Sequence, residues 1–179
     1  MTQWIIDPER SFAEFNVRYM MCARVQGKFT GISGAVDLDP GNIAGSSVHV
    51  RINTASVSRG DQTRDSFLRG PVFFDADKYP EIAFKSTDVE DAGEHCIRIT
   101  GDLTIRGVSR RQTFEGEYYD QEQDGEGKAR MHFVARTGIN REDYGITLTE
   151  SMGPVDFLVD RNVQIVLDIT LVHALIRNR

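Results

Sequence analysis

Apolar and polar residues alternate along most of this chain with a period of two. Val48, Val50 and Ile52, for example, are separated by polar residues. Such alternation is typical of strands that bury one face and expose the other, as in antiparallel sheets. Clear alternation occurs at 13–19, 48–52, 97–105 and 163–171, and less regular strand candidates lie at 25–30, 34–39, 82–88, 112–119 and 129–138. With few helical patterns between them, these strands predict an all-β fold, either a sandwich or a closed barrel.

Turn-forming residues separate the predicted strands at regular intervals. Asp, Asn, Gly and Pro dominate the segments 39–42, 91–94 and 124–127, and the last of these opens an acidic hairpin tip. No shift in composition divides the chain, and no repeat of fixed period occurs. We therefore expect a single domain over 1–179.

One segment departs from the strand pattern and predicts a short helix near 61–70. Asp61 is placed to accept hydrogen bonds from the first free backbone N–H groups of that helix, and Gly70-Pro71 is placed to end it. A second turn of helix is predicted at 75–79. Both segments lie between strands, so they add to the all-β fold without changing it.

The charge balance narrows the class of partner. The 179 residues include 27 acidic residues against 21 Lys and Arg, which gives a formal net charge of −6. An electrostatic nucleic-acid binder needs a basic face, so we expect no nucleic-acid partner. No run of about 18 apolar residues predicts a membrane-spanning helix, and the composition is ordinary for a soluble globular protein. With Met1 as the native start, the absence of a signal-peptide pattern predicts a cytoplasmic protein.

The residue types that usually carry catalysis or metal binding are scattered. The four histidines, which show no metal-ligand spacing, are His49, His95, His132 and His173. Cys22 and Cys96 cannot build a disulfide framework, and we interpret them as structural thiols. The chain contains neither a G-x-S-x-G motif nor a glycine-rich phosphate loop. We therefore expect no metal, no cofactor and no catalytic residues.

Large apolar residues cluster in or beside irregular segments, where packing alone needs fewer of them. They are Met20, Met21, Phe67, Leu68, Phe73, Phe74, Ile82, Phe84, Tyr144 and Ile146. An eight-stranded barrel either fills its interior with side chains or holds one small ligand. The pattern of residues leaves both interpretations open, although apolar pockets with a few polar groups are the usual form of a ligand site.

Several motifs follow one another in order from Trp4 to about Leu171. They include 6–8, Phe15-Asn16-Val17, Val25-x-Gly27-x-Phe29, Arg64-Asp65, Phe73-Phe74-Asp75, Lys78-Tyr79-Pro80-Glu81-Ile82, Phe84-Lys85-Ser86, 101–109 and 139–145. The stretch 56–86 is the most specific of them. In this order and spacing the chain resembles the YceI family.

The resemblance implies a lipocalin-like, antiparallel β-barrel of about eight strands that binds or carries a long apolar ligand of isoprenoid or fatty-acyl type, as a possible homodimer. Each buried methylene group of such a chain contributes about 0.8 kcal/mol. The predicted ligand-binding residues are Phe15, Val17, Arg18, Phe29, Ile52, Leu68, Phe73, Phe74, Phe84, Leu103, Phe133, Tyr144 and Ile146. Alternation places Phe15, Val17, Ile52 and Leu103 inside, and the other positions rest on the matched motifs.

The chain departs from the family pattern at three positions where many members have histidine. These positions are Arg10, Arg18 and Phe67. If the family histidines contact a ligand headgroup, Arg18 would favour an anionic head such as phosphate or carboxylate, because a guanidinium group binds these groups in a bidentate manner. Arg18 also falls on the polar phase of its strand, which is compatible with a plain exposed arginine.

Some matched residues predict local structure rather than binding. Gly101, inside a good strand, predicts a bend or bulge in a curving wall, and Gly107 predicts a tight turn with positive φ. Arg64-Asp65 and 140–143 supply polar groups that we expect to brace loops against the rim of the barrel.

Two other classes of function stay open at this point. One is a barrel filled with side chains that acts as a protein-interaction module through its surface. The other is an enzyme on a lipid-like substrate, with Arg18, Asn140 or Asp143 in acid or electrostatic roles. The enzyme would need a titratable pair inside the pocket, and the apolar phase of the strands shows none.

Overall fold

The alternating stretches form β-strands that pair edge to edge until the sheet closes. The strands are β1 (Thr2–Ile6), β2 (Phe12–Tyr19), β3 (Ala23–Phe29), β4 (Ile32–Leu38), β5 (Ser47–Asn53), β6 (Val57–Ser58), β7 (Glu81–Gly93), β8 (Cys96–Ile105), β9 (Val108–Gln123), β10 (Ala129–Asn140) and β11 (Val159–His173). The helix α1 spans Gln62–Arg69, and single 3₁₀ turns lie at Ile43–Gly45, Thr54–Ser56 and Arg141–Tyr144. This computed structural model describes residues 2–19, 23–39, 41–123, 125, 127–147 and 159–173.

Closure of the sheet comes from pairing between the first and the last strand. The order β1-β4-β5-β7-β8-β9-β10-β11 returns to β1 through antiparallel pairs such as Trp4 with His173. The strands β2, β3 and β6 pair with one another beside this ring of eight, and β11 pairs with both β1 and β2. The result is a closed, antiparallel barrel of eight strands, which confirms the predicted fold class.

Burial follows the period of two along the strands. In β5, Val48, Val50 and Ile52 are buried inside the barrel, while His49 and Arg51 are exposed. The same alternation runs through β8, where every second residue is buried. The core is therefore a stack of inward-facing side chains along the barrel axis.

The predicted short helix forms where the sequence places it. The Asp61 carboxylate accepts hydrogen bonds from the backbone N–H groups of Thr63 at 2.9 Å and Arg64 at 3.3 Å, which caps α1. Gly70 follows the last helical residue, as predicted. The helix lies between β6 and β7 in the chain and contacts β6.

The second predicted turn of helix, at 75–79, forms as one hydrogen-bonded turn and does not extend into a helix. The Lys78 and Tyr79 N–H groups both donate to the Asp75 carbonyl, and the bond from Tyr79 has the spacing of an α-helical turn. Asp75, which has a φ of +48° in the left-handed region, stands at the start of this turn.

Both glycine predictions are confirmed. The register of β7 against β8 shifts between Ser86 and Asp88, so Thr87 is an extra residue opposite Gly101, whose missing Cβ would lie 2.2 Å from the Lys85 carbonyl oxygen. Gly107 has a φ of +72° in the two-residue turn between β8 and β9. Both sites therefore need a residue without a side chain.

The sequence patterns missed β1 and β6. Residues 20–22, with Met20, Met21 and Cys22, and parts of the predicted turns at 39–42 and 124–127 lie outside the described residues. No helix in the described part of the chain is long and apolar enough to cross a membrane. The single domain over 1–179 and the homodimer stay predictions.

Candidate functional site

The barrel contains an apolar cavity of about 90 Å³. The predicted ligand-binding residues that line it are Phe15, Val17, Phe29, Ile52, Phe73, Phe74, Phe84, Leu103 and Ile146. Glu14 and Arg141 are the charged residues in its lining. Side chains from most strands of the barrel therefore line this apolar cavity.

Aromatic rings occupy much of the space beside the cavity. The Phe74 ring centroid lies 5.9 Å from that of Phe15 and 5.2 Å from that of Phe29. Phe84 packs edge to face against Phe114 at 5.0 Å. Such edge-to-face pairs stabilise the closed arrangement beyond the burial of their area.

Phe73 and Phe74 come from the irregular stretch 70–80, which we call the plug segment. The Phe74 N–H donates to the Leu68 carbonyl at 3.1 Å, which ties the segment to α1. The Arg106 guanidinium donates to the carbonyls of Pro71 and Phe73, each at 2.8 Å. The plug segment is thus held between α1 and the β8–β9 turn, with Phe73 and Phe74 directed at the cavity.

Four predicted site residues do not line this cavity. Leu68 and Tyr144 are buried but stand apart from its wall, and Phe133 borders a smaller cavity of about 30 Å³ elsewhere in the barrel. Arg18 is exposed on the outer face of β2 and lines a polar pocket there. Whether any predicted residue binds ligand stays a prediction.

Sequence reasoning missed several residues of the cavity wall. They include Ala13, Val50, Ile82, Ile105, Phe114, Ile139, Val163, Ile165 and Leu167. Most of them lie on the apolar phase of alternating strands, so the signal was present. That phase shows which face of a strand is buried, but it gives no position along the barrel axis.

Arg141, also in the cavity wall, is a buried arginine with 4% of its surface exposed. Its guanidinium donates to three backbone carbonyls, those of Ile146 at 2.7 Å, Val159 at 3.1 Å and Asp160 at 3.1 Å. These bonds fasten the start of β11 to the chain that follows the 3₁₀ turn at 141–144. Arg141 therefore braces the rim, as its motif predicts.

Asp65 holds the helix α1 in place in a similar way. It is 8% exposed, and its carboxylate accepts hydrogen bonds from the Ser58 hydroxyl at 3.0 Å and the Arg59 N–H at 2.6 Å. These contacts hold α1 to the end of β6. The predicted structural role of Arg64-Asp65 is thus visible in the contacts of Asp65.

The residues of the enzyme alternative do not converge on the cavity. Asn140 caps the 3₁₀ turn by accepting the Glu142 N–H at 3.0 Å, and Asp143 is exposed. His132 and Asp168 form a 2.8 Å pair on the outer face of the barrel. Among the described residues no group of three or more His, Cys, Asp or Glu side chains is arranged to hold a metal ion.

Comparisons with known proteins agree with this architecture. The family model of the YceI-like domain matches residues 4–171. A UPF0312 protein from Vibrio parahaemolyticus is 36% identical over 155 residues, which cover 86% of this chain and 82% of that protein. The crystal structure of BcnA from Burkholderia cenocepacia has a TM-score of 0.82 at 25% identity and covers 92% of this chain and 98% of BcnA.

A second solved structure shares the fold at lower sequence identity. It is a polyisoprenoid binding domain from Saccharophagus degradans implicated in plant cell wall breakdown. Its TM-score is 0.71 at 15% identity, and the match covers 97% of this chain and 100% of that domain. At that identity the likeness concerns the fold alone.

Proposed function

Because this chain belongs to the YceI-like family and its barrel encloses an apolar cavity, we propose that it binds a long apolar ligand without acting on it chemically. The observation that carries the proposal is the lining of the cavity, which is apolar except at Glu14 and Arg141. A domain of the same fold binds polyisoprenoid, and we extend that ligand class to this chain, together with fatty-acyl chains of the same apolar chemistry. Apolar transfer of about 0.8 kcal/mol per methylene would drive the binding.

The size of the cavity sets a condition on this function. At about 90 Å³ it is smaller than the cavities of about 150 Å³ that accept a single benzene molecule. A long chain therefore enters only if aromatic side chains move aside. Phe73 and Phe74 are the natural candidates, because they belong to the irregular plug segment rather than to the barrel wall.

Binding is tested with farnesol, a neutral isoprenoid alcohol. Purified protein is titrated with it, and complex formation is followed by native mass spectrometry and by displacement of an environment-sensitive fluorescent fatty-acid analogue. We expect a saturable one-to-one complex. A folded protein that binds neither farnesol nor the analogue would contradict the proposed function.

A charged residue at the cavity should abolish this binding. Phe73→Arg places a cation beside the apolar chain, and its desolvation opposes insertion of the ligand. Phe67→Arg is the matched control, since Phe67 packs on Phe73 at 5.2 Å but is 39% exposed and lies outside the cavity. We expect farnesol binding to be lost in the first variant and retained in the second, with both folded by circular dichroism. Equal affinity in the two variants would exclude the cavity as the binding site.

The dense aromatic packing favours a second candidate, a filled barrel that acts through its surface as a protein-interaction module. It shares the fold but predicts that farnesol leaves the aromatic environment unchanged. Near-ultraviolet circular dichroism with and without farnesol separates the two candidates, because ligand entry must repack Phe15, Phe29 and Phe74. A cytoplasmic location and a homodimer stay predictions.

A further inference from the structure

The barrel wall is irregular where β11 runs beside β2. Tyr19 is opposite Val159 and Val17 is opposite Val163, so three residues of β11 face the single residue Arg18. This bulge disrupts the regular ladder of hydrogen bonds between the strands. A polar pocket of about 450 Å³ lies at the outer face of the sheet at this point.

Two arginines on neighbouring strands share this pocket. Arg18 of β2 and Arg24 of β3 are directly opposite each other in the antiparallel register, and both are exposed. Among the described residues neither guanidinium has a carboxylate within 4 Å. Like charges directly opposite in a sheet destabilise it. An arrangement of this kind gains stability when an anion binds between the two groups.

The remaining polar side chains of the pocket are suited to an anion. Asn16, Asn162 and Gln164 carry amide groups that donate hydrogen bonds, and guanidinium groups bind phosphate or carboxylate in a bidentate manner. Asp160 is the one carboxylate in the lining, and it accepts a hydrogen bond from the backbone N–H of Asn162 at 3.2 Å. Two cations against one carboxylate leave the pocket with net positive charge.

The polar pocket lies close to the apolar cavity. Val17 lines both of them. Val159 and Val163 line the cavity, and Asp160 and Asn162, which lie between them in β11, line the pocket. Both arginines also stand at the rim, because β2 ends at Tyr19 and β3 begins at Ala23. A chain leaving the cavity at this rim would bring its end group to the end of the barrel where both arginines lie.

We propose that Arg18 and Arg24 bind the anionic headgroup, a phosphate or a carboxylate, of the ligand whose apolar chain occupies the barrel. This inference rests on the proposed function. It assigns the ligand to the amphiphilic anions rather than to neutral apolar molecules. The two parts of the ligand are then recognised by two faces of the same stretch of β2 and β11.

The test compares farnesyl phosphate with farnesol, and palmitate with hexadecanol, on the full chain. The wild type should bind each anion at least about tenfold more tightly than its alcohol, a ratio that corresponds to a small number of charge-assisted hydrogen bonds. In the double variant R18Q/R24Q this preference should fall to near unity, with affinity for farnesol unchanged. Arg136→Gln, an exposed arginine on the outer face of β10, is the matched control and should keep the preference.

Each outcome separates the two proposals. If farnesol and farnesyl phosphate bind equally well to the wild type, the headgroup site is wrong and the apolar function stands. If neither binds, the proposed function fails and the headgroup site fails with it. If inorganic phosphate alone binds in an Arg18-dependent manner while farnesyl phosphate gains nothing over farnesol, the pocket takes a free anion and the headgroup proposal is overturned.

A stability measurement gives an independent readout. Arg24→Glu replaces the opposed cations by an opposed ion pair, so we expect a higher melting temperature together with loss of the preference for farnesyl phosphate. A merely structural pair of arginines would not link a gain in stability to a loss of anion binding. A lower melting temperature, or a preference that survives the substitution, would overturn the assignment.

Discussion

At the scale of single residues, the Tyr144 hydroxyl is a buried polar group in the 3₁₀ turn at 141–144. Its side chain is 1% exposed, and the oxygen has no hydrogen-bond partner among the described residues. Burial, together with the neighbouring Asp143 carboxylate, raises the pKa of Tyr144 from 10.0 to about 12. An unpaired buried hydroxyl group costs about 1–3 kcal/mol. Tyr144 thus lowers the stability of the rim that it helps to fill.

Tyr144→Phe should therefore stabilise the protein, by about 1 kcal/mol at neutral pH in urea unfolding. The pKa is higher in the folded than in the unfolded state, so the wild type keeps its stability below pH 10 and loses part of it as the pH rises towards about 12. The variant has no such group, and its advantage should grow across that window. Tyr119→Phe, at a 49% exposed tyrosine, should change the neutral-pH stability by less than about 0.5 kcal/mol. A destabilised Tyr144→Phe variant would mean that the hydroxyl is paired.

The sequence predicts on which face of a strand a side chain lies, but it does not predict how far along the barrel axis that side chain lies. Phe15 and Leu103 line the cavity as their phase predicts, whereas Phe133 has an equally apolar phase and borders the smaller cavity. A period of two assigns each side chain to one side of the wall. The level of a residue along the axis depends on the register of all eight strands, which no single stretch of sequence contains.

At the scale of elements, the β8–β9 turn connects its two strands and also lies against the plug segment. Arg106 and Gly107 both have positive φ, at +53° and +72°, which is the pattern of a type I′ turn. A Cβ at Gly107 would lie 2.8 Å from Cε1 of Tyr79, in the plug segment. The turn therefore fixes both the hairpin and the position of the plug segment against it.

Gly107→Ala should destabilise the protein by about 1–2 kcal/mol through backbone strain, with a further cost from displacing Tyr79. Gly60→Ala is the matched control, because Gly60 has a φ of +82° but no atom within 4 Å of its missing Cβ. The difference in free energy of unfolding between the two variants measures the contact with Tyr79. Equal losses would show that the turn and the plug segment are independent.

Elements with strong local signals were predictable, and those defined by distant partners were not. The capping group at Asp61 and the alternation of β5 are contained in short stretches of sequence. In contrast, β1 is short and its exposed Ile5 is apolar, so its sequence shows no polar alternation, and it forms a strand because β4 and β11 flank it in space. The segment at 75–79 forms the single turn that its composition predicts, and its left-handed Asp75 and its bond to Arg69 of α1 keep that turn from extending into a helix.

At the scale of the whole molecule, stability and ligand entry compete for the same contacts. The closed barrel leaves about 90 Å³ of room, so the proposed long ligand needs space that movement of Phe73 and Phe74 would provide. The hydrogen bonds from Arg106 to the carbonyls of Pro71 and Phe73 resist that displacement. If binding requires the plug segment to move, weakening these bonds should speed ligand entry while it lowers the stability of the folded state.

Arg106→Asn isolates this coupling, because asparagine tolerates the positive φ of Arg106 but cannot reproduce the two guanidinium bonds. We expect a loss of about 1–3 kcal/mol in the free energy of unfolding and at least a severalfold faster association of farnesol in stopped-flow fluorescence. Arg111→Asn, at an exposed residue of β9, should change neither quantity. A less stable variant with unchanged association kinetics would place ligand entry elsewhere, because a barrier at the plug segment must fall when its hydrogen bonds are removed.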